Sequence, residues 1–197
     1  MFKRLSPVAA VRHLLITALA TGFLAVAVAQ SPVTVTVATS AELGVLDPHK
    51  ATERFTSIIL TNIFDSLIAR GDDLAISPNL ATSWEQIAPD TWQFKLREGV
   101  TFHNGEPFNS ESVKFTLERF IDPDFNSTQR THVRTITGVD IVDEYTVNIK
   151  TNGPDALILA RMSELFGVMM PPQYIAEVGD EGFAAHPIGT GPWKFVE

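Results

Sequence analysis

Apolar and polar residues alternate most clearly over residues 91–96, TWQFKL. Trp92, Phe94 and Leu96 fall on one side of an extended backbone, and the polar residues between them fall on the other. A period of two that includes aromatic residues predicts a half-buried β-strand. The alternation restarts over residues 100–102 after a Glu-Gly turn, which predicts a second, shorter strand.

The pattern becomes helical after Asn109. Val113, Leu117 and Phe120 recur at helical spacing and predict one apolar stripe. Asn109 is suited to cap the helix N-terminus, and Glu111 falls in the first turn, where the helix dipole favours negative charge. We therefore expect strand, turn, short strand, turn and capped helix, and we expect the rest of the chain to be organised around this stretch.

Similar patterns predict the other elements. They are a strand over residues 33–39, a helix over 56–69, hairpin strands over 136–142 and 145–149, and a helix over 156–165. We interpret residues 70–73 as a turn at a helix end and residues 120–134 as a surface loop. Trp84, Met169 and Met170 are interpreted as core residues rather than as a stacking platform or a thioether site.

The first 29 residues have the pattern of a secretory signal peptide. Three basic residues precede an apolar run over residues 14–28, and small residues at Ala27 and Ala29 predict cleavage after Ala29. This run is shorter than the roughly 20 residues that span a bilayer, which disfavours a membrane anchor. Cleavage removes three of the 15 basic residues and no acidic ones, so 12 basic and 23 acidic side chains remain, a formal net charge of −11.

Composition excludes several classes of site. The chain has no cysteine, which excludes disulfides, thiol catalysis, zinc-thiolate sites and a lipoprotein anchor. The acidic surface, without a basic patch interleaved with aromatics, argues against nucleic acid as a partner. Gly-x-Ser-x-Gly and His-Glu-x-x-His motifs are absent, and the four histidines of the processed chain are far apart in sequence. We therefore predict no catalytic residue, metal or cofactor.

Residues 96–108, LREGVTFHNGEPF, resemble the signature of the family 5 extracellular solute-binding proteins, the peptide/nickel-binding subunits of ABC importers. Other runs carry the same resemblance: Leu46-Asp47-Pro48, residues 62–68, residues 78–84, residues 142–147 and residues 187–193, where Trp193 replaces the tyrosine of the family pattern. The resemblance is almost continuous over residues 33–197.

The resemblance implies an α/β fold, a periplasmic-binding-protein-like type II lobe into which an α+β subdomain is inserted. The expected divisions are a signal peptide at 1–29, the start of the main lobe at 30–48, the inserted subdomain at 49–186, and the return to the main lobe at 187–197. Because a typical member is about three times longer, we expect an N-terminal fragment whose lobe is incomplete and whose second lobe is missing. Such a fragment is expected to be marginally stable, with a sheet edge uncovered at residues 33–39 and 194–196.

The resemblance also implies the function. We expect a periplasmic, monomeric component that captures peptides and delivers them to the permease subunits of an ABC transporter. In relatives the loop after the first strand borders the ligand cleft, so the candidate binding residues are Ser40, Ala41, Glu42, Leu43 and Gly44. Two alternatives stay open beside this: a truncated fragment that binds no peptide tightly, and an exported module that contacts a permease or receptor. An exported enzyme is disfavoured by the absent motifs.

Three polar residues in the resembling runs invite a ligand role. Asn62 and Asp65 lie among core positions, and His103 lies in the signature turn. We predict that Asn62 and Asp65 tie their helix to neighbouring backbone, and that His103 bonds to backbone rather than to a solute.

Overall fold

Strands and helices follow one another through the described residues, 42–196, in a computed structural model of the chain. In chain order the elements are helix α1 (Arg54–Ile63), strands β1 (Ile68–Arg70), β2 (Ile76–Pro78), β3 (Ala81–Ala88) and β4 (Thr91–Leu96), helix α2 (Ser110–Ile121), a 3₁₀ turn (Arg130–Val133), strands β5 (Ile136–Asp143) and β6 (Thr146–Thr151), helix α3 (Ile158–Met162), a 3₁₀ turn (Leu165–Gly167) and helix α4 (Pro172–Ala185). These residues belong to one unit, residues 40–197. The predicted strand at 33–39 lies outside the described residues.

A four-stranded antiparallel sheet, in the order β3-β4-β6-β5, forms the centre of this unit. Strand β4 has the predicted bounds, and β5 and β6 confirm the predicted hairpin to within two residues at each end. Phe94 pairs with Trp84 on one side and with Val147 on the other, so the apolar positions of adjacent strands align on one face. Trp84 is partly buried against the core, which agrees with its interpretation as a core residue.

Helix α2 covers the apolar face of the sheet. Its predicted stripe of Val113, Leu117 and Phe120 is fully buried. The predicted cap is also confirmed, since the Asn109 side chain accepts a hydrogen bond from the Glu111 amide at 3.0 Å. Burying the stripe against β5 and β6 removes apolar surface from water and forms the larger of two cores.

The opposite face of the sheet is polar. Gln93 donates to Asn148 across β4 and β6 at 3.0 Å, and the Lys95 ammonium donates to the Thr146 hydroxyl at 2.9 Å. The alternation read from residues 91–96 therefore separates a buried face from a solvated one, as an antiparallel sheet with one covered side requires.

The first helix is shorter than predicted. Helix α1 ends at Ile63 because Phe64 adopts an extended conformation, with φ −117° and ψ 139°. Beyond it, the Leu67 amide donates to the Gly167 carbonyl at 2.7 Å, and strand β1 pairs with β2. Long-range backbone pairing thus overrides the helical spacing of residues 64–69, and residues 70–73 turn a hairpin rather than end a helix.

Two further predictions are corrected. The short strand over residues 100–102 is a single bridge between Thr101 and Pro107, because the chain turns back on itself at once. The helix over 156–165 is limited to α3, because the Asp155 carboxylate accepts from the Leu157 amide and starts the helix late, and a 3₁₀ turn follows. The predicted surface loop at 120–134 begins only after α2 ends at Ile121, and most of its residues are exposed. Val133 and Ser127 are buried, and Ser127 donates to the His49 carbonyl.

Helix α4 was not predicted. It is interrupted at Gly179, where φ is +72° and ψ 175°, so its sequence has no continuous helical stripe. A second core forms between α1 and α4, and the buried Met169 and Met170 confirm their interpretation as core residues. Within residues 42–196, no helix is both long and apolar enough to cross a bilayer.

Candidate functional site

The predicted cleft loop reaches the described part of the chain at Glu42. Ser40 and Ala41 lie outside the described residues. Glu42, Leu43 and Gly44 are exposed, and Leu43 keeps 45% of its surface accessible. The Gly44 amide donates to the Thr56 hydroxyl in the first turn of α1 at 2.9 Å. The loop therefore passes the N-terminal end of α1 with its side chains directed to solvent.

The residues that follow this loop are deeply buried. Asp47 has no accessible surface, although it is a carboxylate. Its side chain accepts from the His49 amide at 2.9 Å, and its carbonyl accepts from the Lys50 and Ala51 amides at 3.0 and 2.8 Å. The Leu46-Asp47-Pro48 run is thus a turn whose central side chain points into the protein.

Arg119 of helix α2 neutralises this buried carboxylate. Its Nη2 lies 2.7 Å from Oδ2 of Asp47 and 2.6 Å from Oδ1 of Asp180 in α4. The guanidinium also stacks on the Phe125 ring at 3.8 Å and donates to the Met170 sulfur at 3.4 Å. These contacts hold the Arg119 side chain in one position. Removing Arg119 would leave the buried Asp47 carboxylate without a compensating charge, which is strongly destabilising.

His49 completes the buried cluster. Its ring stacks on Phe120 with centroids 3.9 Å apart, and Nδ1 accepts from Arg119 at 3.2 Å. An arginine can only donate, so the imidazole proton lies on Nε2, which has no hydrogen-bond partner within residues 42–196. Complete burial, and then repulsion by Arg119, hold the pKa of His49 well below its ordinary value. The histidine is therefore neutral at pH 7.

An open groove of about 560 Å³ lies over Arg119. Its walls combine apolar rings and carboxylates, contributed by Phe115, Phe125, Ile175, Glu118, Asp122, Asp124 and Asp180. Within the described residues, no three histidine or carboxylate side chains come together as a metal-binding group. The Arg119 guanidinium at the base of the groove is already paired with Asp47 and Asp180, so the groove presents acidic charge to solvent.

The signature loop joins distant parts of the chain. The His103 amide donates to the Gly189 carbonyl at 2.9 Å, and its Nε2 lies 2.7 Å from the Gly191 carbonyl. The carboxylate of Glu106 accepts from the Gln173 and Tyr174 amides at 2.8 and 3.1 Å. Glu106 therefore caps helix α4 from a distance, and the predicted backbone-bonding role of His103 is confirmed.

The segment held by His103 also closes the end of α1. The Gly191 and Trp193 amides donate to the Ile63 and Asn62 carbonyls at 2.9 and 3.1 Å. The Asn62 side chain bonds within its own helix to the Ile58 carbonyl at 2.8 Å, and the Thr190 hydroxyl donates to the Asp65 carboxylate at 3.0 Å. Asn62 is exposed and its side chain bonds only within its own helix, and the Asp65 side chain bonds to another side chain, so the prediction that these two side chains tie the helix to neighbouring backbone is wrong.

The sequence interpretation overlooked Arg119 and Glu106. Arg119 lies on the buried face that Ser112 and Thr116 share, three residues beyond Thr116. The sequence signal that could have identified it is a basic residue on the same helix face as buried small polar residues. A cation buried on that face requires an anionic partner elsewhere in the chain.

Comparison with known proteins identifies the family. The model of the bacterial extracellular solute-binding proteins, family 5 Middle, matches residues 75–197. The chain belongs to this family. Its family 5 relatives include the glutathione-binding protein GsiB of Pectobacterium atrosepticum, 32% identical over 154 residues, which are 77% of this chain and 29% of GsiB.

Two solved structures share the fold. The periplasmic binding protein AgaA of A. tumefaciens R10, in complex with agropinic acid, superposes with a TM-score of 0.73 at 30% identity over 79% of this chain and 32% of AgaA. DppA of Helicobacter pylori, an ABC transporter-associated periplasmic binding protein in complex with the peptide STSA, gives 0.72 at 27% identity over 80% and 35%. These matches confirm the predicted mixed α/β, type II periplasmic-binding-protein fold.

The comparisons also show how much of its relatives the chain covers. It spans about a third of the length of these relatives. All three are named as binding proteins, and the family is described as extracellular solute-binding proteins.

Proposed function

We propose that this chain is part of the extracytoplasmic solute-binding component of an ABC importer, which captures a peptide and delivers it to permease subunits in the membrane. The observation that carries the proposal is the family 5 match over residues 75–197, together with the superposition on DppA, an ABC transporter-associated protein that holds a peptide. In this role the protein binds and releases its solute without making or breaking a bond.

The names of the relatives support an amino-acid-derived solute. Glutathione is itself a tripeptide, and the DppA ligand STSA is a tetrapeptide. AgaA, which holds agropinic acid, widens the range beyond peptides. We take a short peptide as the first candidate, since two of the three relatives bind one.

The proposed binding residues are those of the loop after the first strand, Ser40 to Gly44. The described part of this loop is exposed and carries a carboxylate at Glu42 and an apolar side chain at Leu43. A carboxylate suits the amino group of a peptide, and an apolar contact removes part of its surface from water.

The proposed division of the chain rests on how its two connecting segments are attached. Gly44 bonds at the start of α1, and the segment from Gly189 to Trp193 bonds at the end of the same helix. This supports a subdomain at 49–186 that is inserted between the main-lobe segments 30–48 and 187–197. We also propose a signal peptide at residues 1–29 and a periplasmic location, on the basis of the sequence pattern.

Titration calorimetry on the exported protein tests the proposal. The protein is purified as the cell makes it, its intact mass is recorded, and reduced glutathione, the peptide Ser-Thr-Ser-Ala and a library of di- and tripeptides are titrated into it. We expect micromolar binding of at least one peptide and no heat with maltose. The absence of binding across the whole set would contradict peptide capture.

The same titration on residues 30–197 alone provides a second test. We expect no tight binding, because affinity in this fold class depends on a ligand enclosed between two lobes. Micromolar binding by this piece would show that one lobe is sufficient.

A further inference from the structure

The loop of residues 42–46 is exposed but held at both of its ends. The Gly44 amide is fixed to the Thr56 hydroxyl, and Thr56 is fully buried. On the other side, the chain enters the protein at Leu46 and reaches the buried Asp47 one residue later. The position of the loop therefore depends on what holds these two ends.

Asp47 holds the second end through both carboxylate oxygens. Oδ1 accepts from the His49 amide at 2.9 Å and fixes the turn, and Oδ2 accepts from Arg119 at 2.7 Å and fixes the turn to helix α2. The pair joins residues that are 72 positions apart in the chain. It is fully desolvated on the Asp47 side, where a charge-assisted hydrogen bond is strongest.

Arg119 is fixed independently of the loop. Its Nε and Nη2 both donate to Asp180 of α4, at 3.2 and 2.6 Å, and its plane stacks on Phe125. The break at Gly179 directly precedes Asp180, so the interruption of α4 falls beside this contact. Asp180 and Phe125 thus hold the guanidinium in place, and the loop is attached to it through the Asp47 carboxylate.

We propose that Arg119 is a positioning residue, which sets the geometry of the solute-contacting loop through Asp47 without touching the solute. The part of this inference that concerns solute rests on the proposed function. The part that concerns the loop rests on the contacts alone. Small displacements of a contacting loop weaken binding strongly, because the polar groups of a site must meet their ligand in a fixed orientation.

Amide hydrogen exchange on the full chain tests the positioning, with NMR detection of single amides. Asp47→Asn keeps the shape of the side chain and removes its charge, whereas Asp180→Asn removes the other carboxylate from Arg119 and touches no part of the loop. We expect Asp47→Asn to accelerate exchange at Gly44, Lys50 and Ala51 by about tenfold or more, since a charge-assisted contact is lost. We expect Asp180→Asn to change the exchange rates of these three amides by about twofold or less.

Amides of strands β4 and β6 report on the fold as a whole. Because loss of a buried partner also lowers global stability, we expect these strand amides to accelerate as well. Protection at Gly44, Lys50 and Ala51 that matches the protection of the strands, or equal acceleration of the loop amides in both variants, would mean that the cluster only stabilises the protein as a whole and would overturn the proposal. No acceleration in Asp47→Asn would overturn it as well. Should that variant fail to fold, Arg119→Lys provides the same test, because it retains the charge but loses the forked contact to both carboxylates.

Affinity provides the readout that links the loop to solute. With reduced glutathione and Ser-Thr-Ser-Ala as probes, we expect Asp47→Asn to raise Kd about tenfold, whereas Lys150→Ala, which removes an exposed pair with Asp140, leaves Kd unchanged. A loosened loop with unchanged Kd would overturn the role in binding. A wild-type protein that binds neither probe nor the wider peptide set would contradict the proposed function, and exchange would still decide the positioning.

Discussion

The signature loop at residues 99–108 and the loop at residues 42–46 have opposite designs. In the first, His103 and Glu106 use their backbone or side chains to hold the segment 189–191 and the start of α4. In the second, the side chains of Glu42 and Leu43 are exposed. The residues that make the chain recognisable as family 5 therefore secure the fold, and the residues proposed to meet solute are those that the fold leaves accessible.

The buried pair of Arg119 and Asp47 beneath the exposed loop is expected to have the largest effect on the free energy of unfolding. Arg119→Ala leaves the Asp47 carboxylate buried without its cation, which we expect to lower the free energy of unfolding by about 3–5 kcal/mol. Urea denaturation measures it. Lys150→Ala is the control: its pair with Asp140 is exposed, so the expected loss is about 0.5 kcal/mol or less. A loss in Arg119→Ala as small as that of the control would contradict a buried Asp47 carboxylate that depends on this cation.

The segment held by the signature loop comes next. A Cβ at Gly189 would lie 2.1 Å from the Ile63 carbonyl oxygen, which is backbone and cannot move aside freely. We expect Gly189→Ala to destabilise the protein by about 1–3 kcal/mol in the same denaturation experiment. Gly138→Ala is the matched control, because a Cβ there meets no atom within 4 Å. Equal effects of the two substitutions would contradict the close packing of this segment on α1.

The distant cap on α4 is expected to contribute less. Glu106→Ala removes the acceptor of two amides at the start of the helix, and we expect a loss of about 1 kcal/mol. Thermal unfolding monitored by circular dichroism measures it, with the exposed Glu181→Ala in the same helix as control. A midpoint as high in Glu106→Ala as in the control would mean that the two amides find another acceptor.

The smallest effect concerns pH. Because burial and Arg119 lower the pKa of His49 in the folded protein, the unfolded chain takes up a proton first as the pH falls below about 6.5. Stability should therefore decline from that pH downward, until the lowered pKa of the folded state is reached. His49→Gln removes this group, so we expect a flatter dependence of the urea midpoint on pH between about 7 and 5. Identical profiles for the two proteins would contradict a neutral, buried His49.

The sequence pattern was sufficient to predict the elements whose structure depends on residues close in sequence. Strand β4, the cap at Asn109 and the stripe of α2 follow from residues within one turn or one strand. The end of α1 did not follow, because residues 65–67, directly after Phe64, pair with residues 167–169, about 100 positions away. Helix α4 was missed because its break at Gly179 interrupts the stripe and its cap, Glu106, lies far upstream.

The site was predictable only in outline. The family resemblance identified the loop and the Leu46-Asp47-Pro48 turn, but single residues such as Arg119 and Glu106 depend on partners 72 and 67 positions away. Charged residues of both signs are common along the chain, so the sequence does not indicate which of them meet. Burial, which decides that a pair is strong, becomes visible only in the folded protein.

Hydrogen exchange of the solute-loaded protein distinguishes the two loops in one experiment. The exported protein is compared with and without the peptide that gives the largest heat of binding. We predict that bound peptide slows exchange over residues 42–46 and leaves residues 99–108 unchanged, since the side chains of His103 and Glu106 are already bonded within the protein. Slowed exchange over residues 99–108 with no change over residues 42–46 would contradict this account and would make the signature loop itself the binding site.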